Sequence, residues 1–193
     1  PMIGITEWAR FAGFAGLPAI FPPFAKAAWL SILPEFNPFK YNSFPINGAR
    51  QSSRLTRALQ PRLADYARAG RLDALPPIIT FQSLTDFTVS TAAIVDALYA
   101  QLPANGSELV LFDLNRRTQF GPLLRRSTET MLTRLLPPAP RPFRTTVITN
   151  ADTDSADVVA RVTESGSETE QMVPLGLTYP RDVFSLSHVA LPF

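Results

Sequence analysis

Residues 77–86 read Pro77-Ile-Ile-Thr-Phe-Gln-Ser-Leu-Thr-Asp86, an apolar run that ends at a carboxylate. Strands that are buried on both faces of a parallel sheet have continuous apolar runs of this kind. Open α/β folds keep their sites at the carboxyl ends of such strands. The stretch therefore predicts a buried parallel strand over residues 78–82 that carries Asp86 to a functional edge of a sheet.

A helical pattern and a second apolar run follow directly. Apolar side chains recur at helical spacing over residues 95–102, and either Thr88 or Ser90 can cap the start of that helix. Residues 109–112 then form another short apolar strand. Because a crossover of this length joins parallel strands with a right-handed connection, residues 76–114 predict a strand–helix–strand unit of an α/β sheet.

The chain beyond this unit has weaker patterns. We expect a helix over residues 121–136, which consecutive prolines stop, and strands over residues 143–149 and 172–177. Residues 150–170 are polar and acidic, and they predict flexible loops around a short helix near Val158.

The first 75 residues differ in composition from the rest. Half of the aromatic residues of the chain fall within residues 8–44, and interleaved prolines limit regular helices there to short pieces. Residues 49–72 then predict a helix that is kinked or split at Pro61. One side of this helix carries Leu55, Leu59, Leu63 and Tyr66, and the opposite side carries Arg50, Arg54 and Arg57.

Composition argues against several classes of function. The chain has 193 residues, 46% of them hydrophobic, so it can bury one sizeable core. It has no cysteine and one histidine, which are too few preferred ligands for a zinc site, and we expect no cofactor. A net charge of +2 without an aromatic–basic platform argues against nucleic-acid binding. Prolines and a lysine interrupt the most apolar stretch, residues 11–33, so it does not predict a membrane helix.

Two short motifs resemble the α/β-hydrolase family. The spacing Ser83-x-x-Asp86-x-x-Val89 is similar to the acid turn of that family, and Ser187-His188-Val-Ala-Leu-Pro-Phe is similar to the histidine loop of some bacterial members. The family order is serine, then Asp or Glu, then histidine, and the acid and the base occur here in that order. The resemblance implies a serine hydrolase in which His188 is the catalytic base and Asp86 orients it.

The resemblance also implies a fold and a domain arrangement. The fold is the C-terminal part of an α/β-hydrolase sheet, with parallel strands in a three-layer arrangement and a helical lid segment. Residues 1–75 correspond to the lid, and residues 76–193 to the C-terminal part of the core. An insertion at about residues 115–185 would account for the long separation of Asp113 from His188; without it, His188 is not the base.

The nucleophile of such an enzyme is missing from the sequence. No Gly-x-Ser-x-Gly elbow occurs in the chain, which begins with Pro1 rather than with an initiator methionine. We therefore expect a fragment that is inactive alone, whose serine and oxyanion hole lie in the N-terminal half of the same hydrolase. The expected substrate is a carboxylic ester, such as an acylglycerol or a lysophospholipid.

Other interpretations of the same residues stay open. Asp86 can instead interact with free backbone amides at the start of the helix, and His188 can be an ordinary surface or core residue. Asp113 also ends an apolar strand and is the rival acid. The alternative functions are an aminopeptidase or amidase of the same family, a hydrolase-like binding or interaction protein without catalysis, and a lipid-surface protein that uses the aromatic and basic first segment.

Overall fold

The computed structural model describes residues 21–23, 29–31, 44–84, 86, 89–114, 128–152 and 155–180. These residues form a five-stranded sheet, a two-stranded sheet and helices. The α-helices are α1 (Ile46–Arg68), α2 (Thr91–Ala97) and α3 (Thr128–Leu135), with single 3₁₀ turns at Leu72–Ala74 and Tyr99–Gln101. The strands are β1 (Trp29–Ser31), β2 (Phe44–Pro45), β3 (Ile79–Ser83), β4 (Glu108–Asp113), β5 (Arg144–Asn150), β6 (Asp157–Thr163) and β7 (Glu170–Thr178).

The strand–helix–strand unit predicted for residues 76–114 is confirmed, but the prediction that its first strand is buried is wrong in part: β3 is an outer strand, and Ile79 and Phe81 are 57% and 58% exposed. Strands β3 and β4 are parallel neighbours, with Ile79 opposite Glu108 and Ser83 opposite Phe112. Helix α2 connects them, and the Ser90 hydroxyl caps it by accepting a hydrogen bond from the amide of Ala93 at 3.2 Å. This unit could be predicted because the sequence of each of its elements indicates where that element begins and ends.

The expectation of an all-parallel sheet is wrong. The strand order is β3-β4-β5-β6-β7, in which β3, β4 and β5 are parallel while β6 and β7 each pair antiparallel with the preceding strand. The reason lies in the connections, residues 151–156 and 164–169, because a parallel crossover needs about a dozen residues or more. The chain therefore forms a mixed α/β sheet.

The short helix predicted near Val158 is also wrong, because this residue lies in strand β6. Most of this strand is buried, including Val158, Val159 and Val162, and β-branched residues favour a pleated, packed surface over a helix. The neighbouring predictions are confirmed in type: helix α3, strand β5 and strand β7 fall where the sequence indicates them. The residues predicted as the first part of the α3 helix lie outside the described part of the chain.

The core lies between one face of the sheet and helices α2 and α3. Leu109 and Leu111 of β4 are fully buried there together with Phe143. The ring of Tyr99 packs edge-on against Phe143 at 4.9 Å between ring centroids. Its hydroxyl donates to the carbonyl oxygen of Glu108 at 2.6 Å, so this residue ties the helical layer to the start of β4. Burial raises the pKa of the Tyr99 phenol, which keeps it a neutral donor.

Helix α1 is continuous from Ile46 to Arg68, so it is not split at Pro61. Its apolar side is turned outward, since Leu55, Leu59 and Tyr66 are 46%, 43% and 44% exposed. The aromatic segment before it, within residues 1–43, lies almost entirely outside the described residues. The lid assigned to residues 1–75 and the three-layer arrangement therefore stay predictions.

Candidate active site at the carboxyl edge of the sheet

Three parallel strands end at the same edge of the sheet, which we call the carboxyl edge. The strands β3, β4 and β5 end there at Ser83, Asp113 and Asn150. Asp113 pairs in register with Thr149, whose hydroxyl donates to the Asp113 carbonyl oxygen at 3.0 Å. Because sites of open α/β sheets lie at this edge, its polar side chains are the candidates for chemistry.

Asp86 lies in the turn that leaves β3 at this edge. Its amide donates to the carbonyl oxygen of Ser83 at 3.2 Å, and its Oδ1 accepts a hydrogen bond from the amide of Val89 at 3.0 Å. The carboxylate thus closes a local turn on the amide of Val89, which precedes the Ser90 cap of α2, and this bond is not to one of the free amides of the helix that the alternative role requires. It does not exclude a second role, since an ionised carboxylate has about four lone-pair sites.

A buried polar network joins this turn to helix α2. The Gln82 amide donates to the carbonyl oxygen of Val89 at 3.2 Å and lies 3.4 Å from the Thr91 hydroxyl. Thr91 in turn donates to the carbonyl oxygen of Ser83 at 3.1 Å. These bonds fix the backbone on both sides of Asp86. Sequence analysis missed Gln82 and Thr91, although a glutamine inside an apolar strand was a usable signal.

The rival acid, Asp113, reaches the same edge from the neighbouring strand. Its side chain is more enclosed, because the residue is only 5% exposed whereas Asp86 is partly exposed. The structure therefore brings both candidate acids to one edge, where Asp86 is the more exposed of the two.

His188 lies outside the described residues, but the path of the chain toward it is described as far as residue 180. Strand β7 is antiparallel to β6, which is antiparallel to β5, so β7 runs in the same direction as β5 and ends at the carboxyl edge. The end of β7 is anchored where the amide of Tyr179 donates to the carbonyl oxygen of Ala156 at 2.7 Å. The last described residues before His188 therefore lie at the same edge that carries Asp86.

The described residues contain neither a metal-binding cluster nor a membrane-spanning helix. No group of three or more His, Cys, Asp or Glu side chains there is arranged to hold a metal ion. In the same part of the chain, no helix has the length and apolarity needed to cross a bilayer.

Comparisons with known proteins add no assignment. No protein-family model, curated protein or solved structure matches the chain. The function of the carboxyl edge must therefore be inferred from its own residues and from the direction of the strands that end there.

Proposed function

We propose that this chain is the acid-and-base half of a serine hydrolase of the α/β-hydrolase type, and that the whole hydrolase, rather than this chain alone, cleaves carboxylic esters such as acylglycerols or lysophospholipids. Asp86 is the orienting acid and His188 the base. One observation supports this most strongly. Strand β7 ends at Thr178, ten residues before His188, at the same edge of the sheet at which β3 ends before Asp86.

The distance between these two points is within reach of the chain. Strands β3 and β7 are the two outer strands of the five-stranded sheet. Four inter-strand spacings of about 4.8 Å separate them by about 19 Å. His188 follows Tyr179 by nine residues, and nine extended residues span up to about 30 Å. The imidazole can thus lie beside Asp86 without any change in the sheet.

The proposed reaction is acyl transfer through an acyl-enzyme. A serine oxygen attacks the ester carbonyl while His188 accepts the serine proton, and the collapse of the tetrahedral intermediate expels the alcohol, which receives that proton. Water then attacks the acyl-enzyme with the same assistance and releases the acid. Asp86 holds the imidazole in one tautomer and stabilises the imidazolium, which a carboxylate fixed by a backbone amide is rigid enough to do.

The serine of this mechanism must come from a segment outside residues 1–193, because no nucleophile elbow occurs in them. The same absence favours the second candidate function, a hydrolase-like binding protein without catalysis. An aminopeptidase or amidase of the same type differs only in the leaving group. In the enzyme, the aromatic first segment would serve as a lid that excludes water from the acyl group.

The location of the reactive serine distinguishes these functions. We expect a fluorophosphonate probe to label the full-length hydrolase at one serine outside residues 1–193, as mapped by mass spectrometry, and to leave this chain alone unlabelled. The labelled protein should lose turnover of a p-nitrophenyl ester. Turnover of the matching p-nitroanilide would favour an amidase. A full-length protein without labelling and without turnover would favour the binding protein.

A further inference from the structure

A polar cleft opens at the other end of strand β5, away from the carboxyl edge. It has a volume of about 190 Å³ and lies between helix α3, the loop before β5 and the faces of β5 and β6. We call it the arginine cleft, after the two arginines among the polar residues that line it: Thr133, Arg141, Thr145, Arg161, Thr163 and Glu170. Thr145 and Thr163 are paired in register on neighbouring strands and are 2% and 8% exposed.

Arg141 is held in position at the mouth of this cleft. Its Nε donates to the carbonyl oxygen of Pro137 at 2.7 Å, and its Nη1 donates to the Thr145 hydroxyl at 3.3 Å. Among the described residues, no carboxylate lies within ion-pair distance of this guanidinium. Burial lowers the pKa of Arg141, an effect that Glu170 partly offsets. The guanidinium is therefore partly buried and, within the described part of the chain, has no carboxylate in direct contact.

The charges around the cleft do not balance. Arg161 forms an ion pair with Glu170 at 2.7 Å, so the carboxylate of the cleft is already engaged. Among the described lining residues, two guanidinium groups and one carboxylate leave an excess positive charge, beside buried threonine hydroxyls that can donate hydrogen bonds. A group that accepts several hydrogen bonds and carries negative charge would satisfy these donors.

We propose that the arginine cleft binds a small oxyanion, a phosphate or carboxylate group, between the guanidinium groups of Arg141 and Arg161. The volume sets the size of the ligand. About 190 Å³ corresponds to roughly six water volumes of about 30 Å³, and it is below the range of about 300–1,000 Å³ that holds drug-sized ligands. The cleft thus accommodates an anionic group rather than a whole lipid. This site is independent of the proposed hydrolysis.

The test is a calorimetric titration of the protein with inorganic phosphate, and separately with acetate, at neutral pH and constant ionic strength. We expect saturable binding by the wild type and a loss of affinity of about tenfold or more for Arg141→Gln, because a charge-assisted hydrogen bond is removed. Glu170→Gln should bind the same anion several-fold more tightly, because it frees Arg161. Arg134→Gln, an exposed neighbour that does not line the cleft, is the control and should bind as the wild type does.

Several outcomes would overturn the site. These are no binding of either anion by the wild type, equal affinities of the wild type and Arg141→Gln, or an equal loss in Arg134→Gln. If Arg141→Gln does not fold, binding by Glu170→Gln tests the proposal instead. Unchanged or weaker binding by that variant would contradict the proposed charge arrangement. Binding of phosphate but not acetate, or the reverse, would identify which oxyanion the site takes.

Discussion

If the proposed function is correct, replacing Asp86 with asparagine in the longer hydrolase that it requires is expected to lower kcat for a p-nitrophenyl ester by about 10⁴-fold. An amide in place of the carboxylate can hold the imidazole in the wrong tautomer and cannot stabilise the imidazolium. His188→Ala should cause a loss at least as large, because it removes the group that transfers the proton. Steady-state kinetics of purified variants, with folding checked by circular dichroism, provides the measurement.

The informative control for this prediction is Asp113→Asn, which changes the other acid at the carboxyl edge by the same single atom. We expect its kcat to stay near that of the wild type once the folded fraction is taken into account. A large loss in Asp113→Asn together with normal turnover in Asp86→Asn would transfer the acid role to Asp113. Normal turnover in His188→Ala would remove the histidine from the mechanism.

Replacing Leu111 with alanine is expected to lower the free energy of unfolding by about 2–5 kcal/mol. Leu111 is fully buried in strand β4, the neighbour of both β3 and β5, and belongs to the cluster that packs under α2 and α3. Truncation loses the transfer free energy of the removed atoms and leaves a cavity that a close-packed core only partly closes. Equilibrium denaturation in urea, monitored by fluorescence and circular dichroism, measures the change.

Leu177→Ala is the matched control, because it makes the same chemical change on an edge strand where the residue is 61% exposed. We expect its effect on the free energy of unfolding to stay within about 0.5 kcal/mol. Equal losses in the two variants would mean that Leu177 is covered in solution, for example by another copy of the chain. A negligible loss in Leu111→Ala would contradict the placement of the core.

The part of the fold that could be predicted from the sequence is the part with local signals. The apolar run that becomes β3, the serine that caps α2 and the apolar run that becomes β4 each specify an element within a few residues. The length of the connection between the two runs then determines that they are parallel. The position of Asp86 at the carboxyl edge follows from these elements alone.

The antiparallel half of the sheet could not be predicted in the same way. Val158 and its neighbours lie in a segment whose acidic, polar flanks suggested loops, and their strand conformation depends on pairing with β5 and β7. The polar network around Asp86 was also missed, because the contacts of Gln82 with Val89 and Thr91 exist only once β3 and α2 are packed together. Both features depend on tertiary contacts, and the secondary-structure preferences of single residues carry little information about those contacts.

The direction of β7 has the greatest consequence for function among the features that the sequence did not predict. Two short antiparallel connections return the chain to the carboxyl edge before residue 180. The hairpin of β6 and β7 spans residues 157–178 of the long stretch between Asp113 and His188, and it ends at the edge where the proposal places the histidine.

The most direct test of the proposed pair is the distance between the Asp86 carboxylate and the imidazole of His188 in a crystal structure of the protein. We predict that a carboxylate oxygen lies about 2.7–3.2 Å from the imidazole Nδ1, as a hydrogen bond requires. The opposite ring nitrogen should then face the open side of the carboxyl edge. An imidazole at the opposite edge of the sheet, or bonded to Asp113 instead, would contradict the assignment.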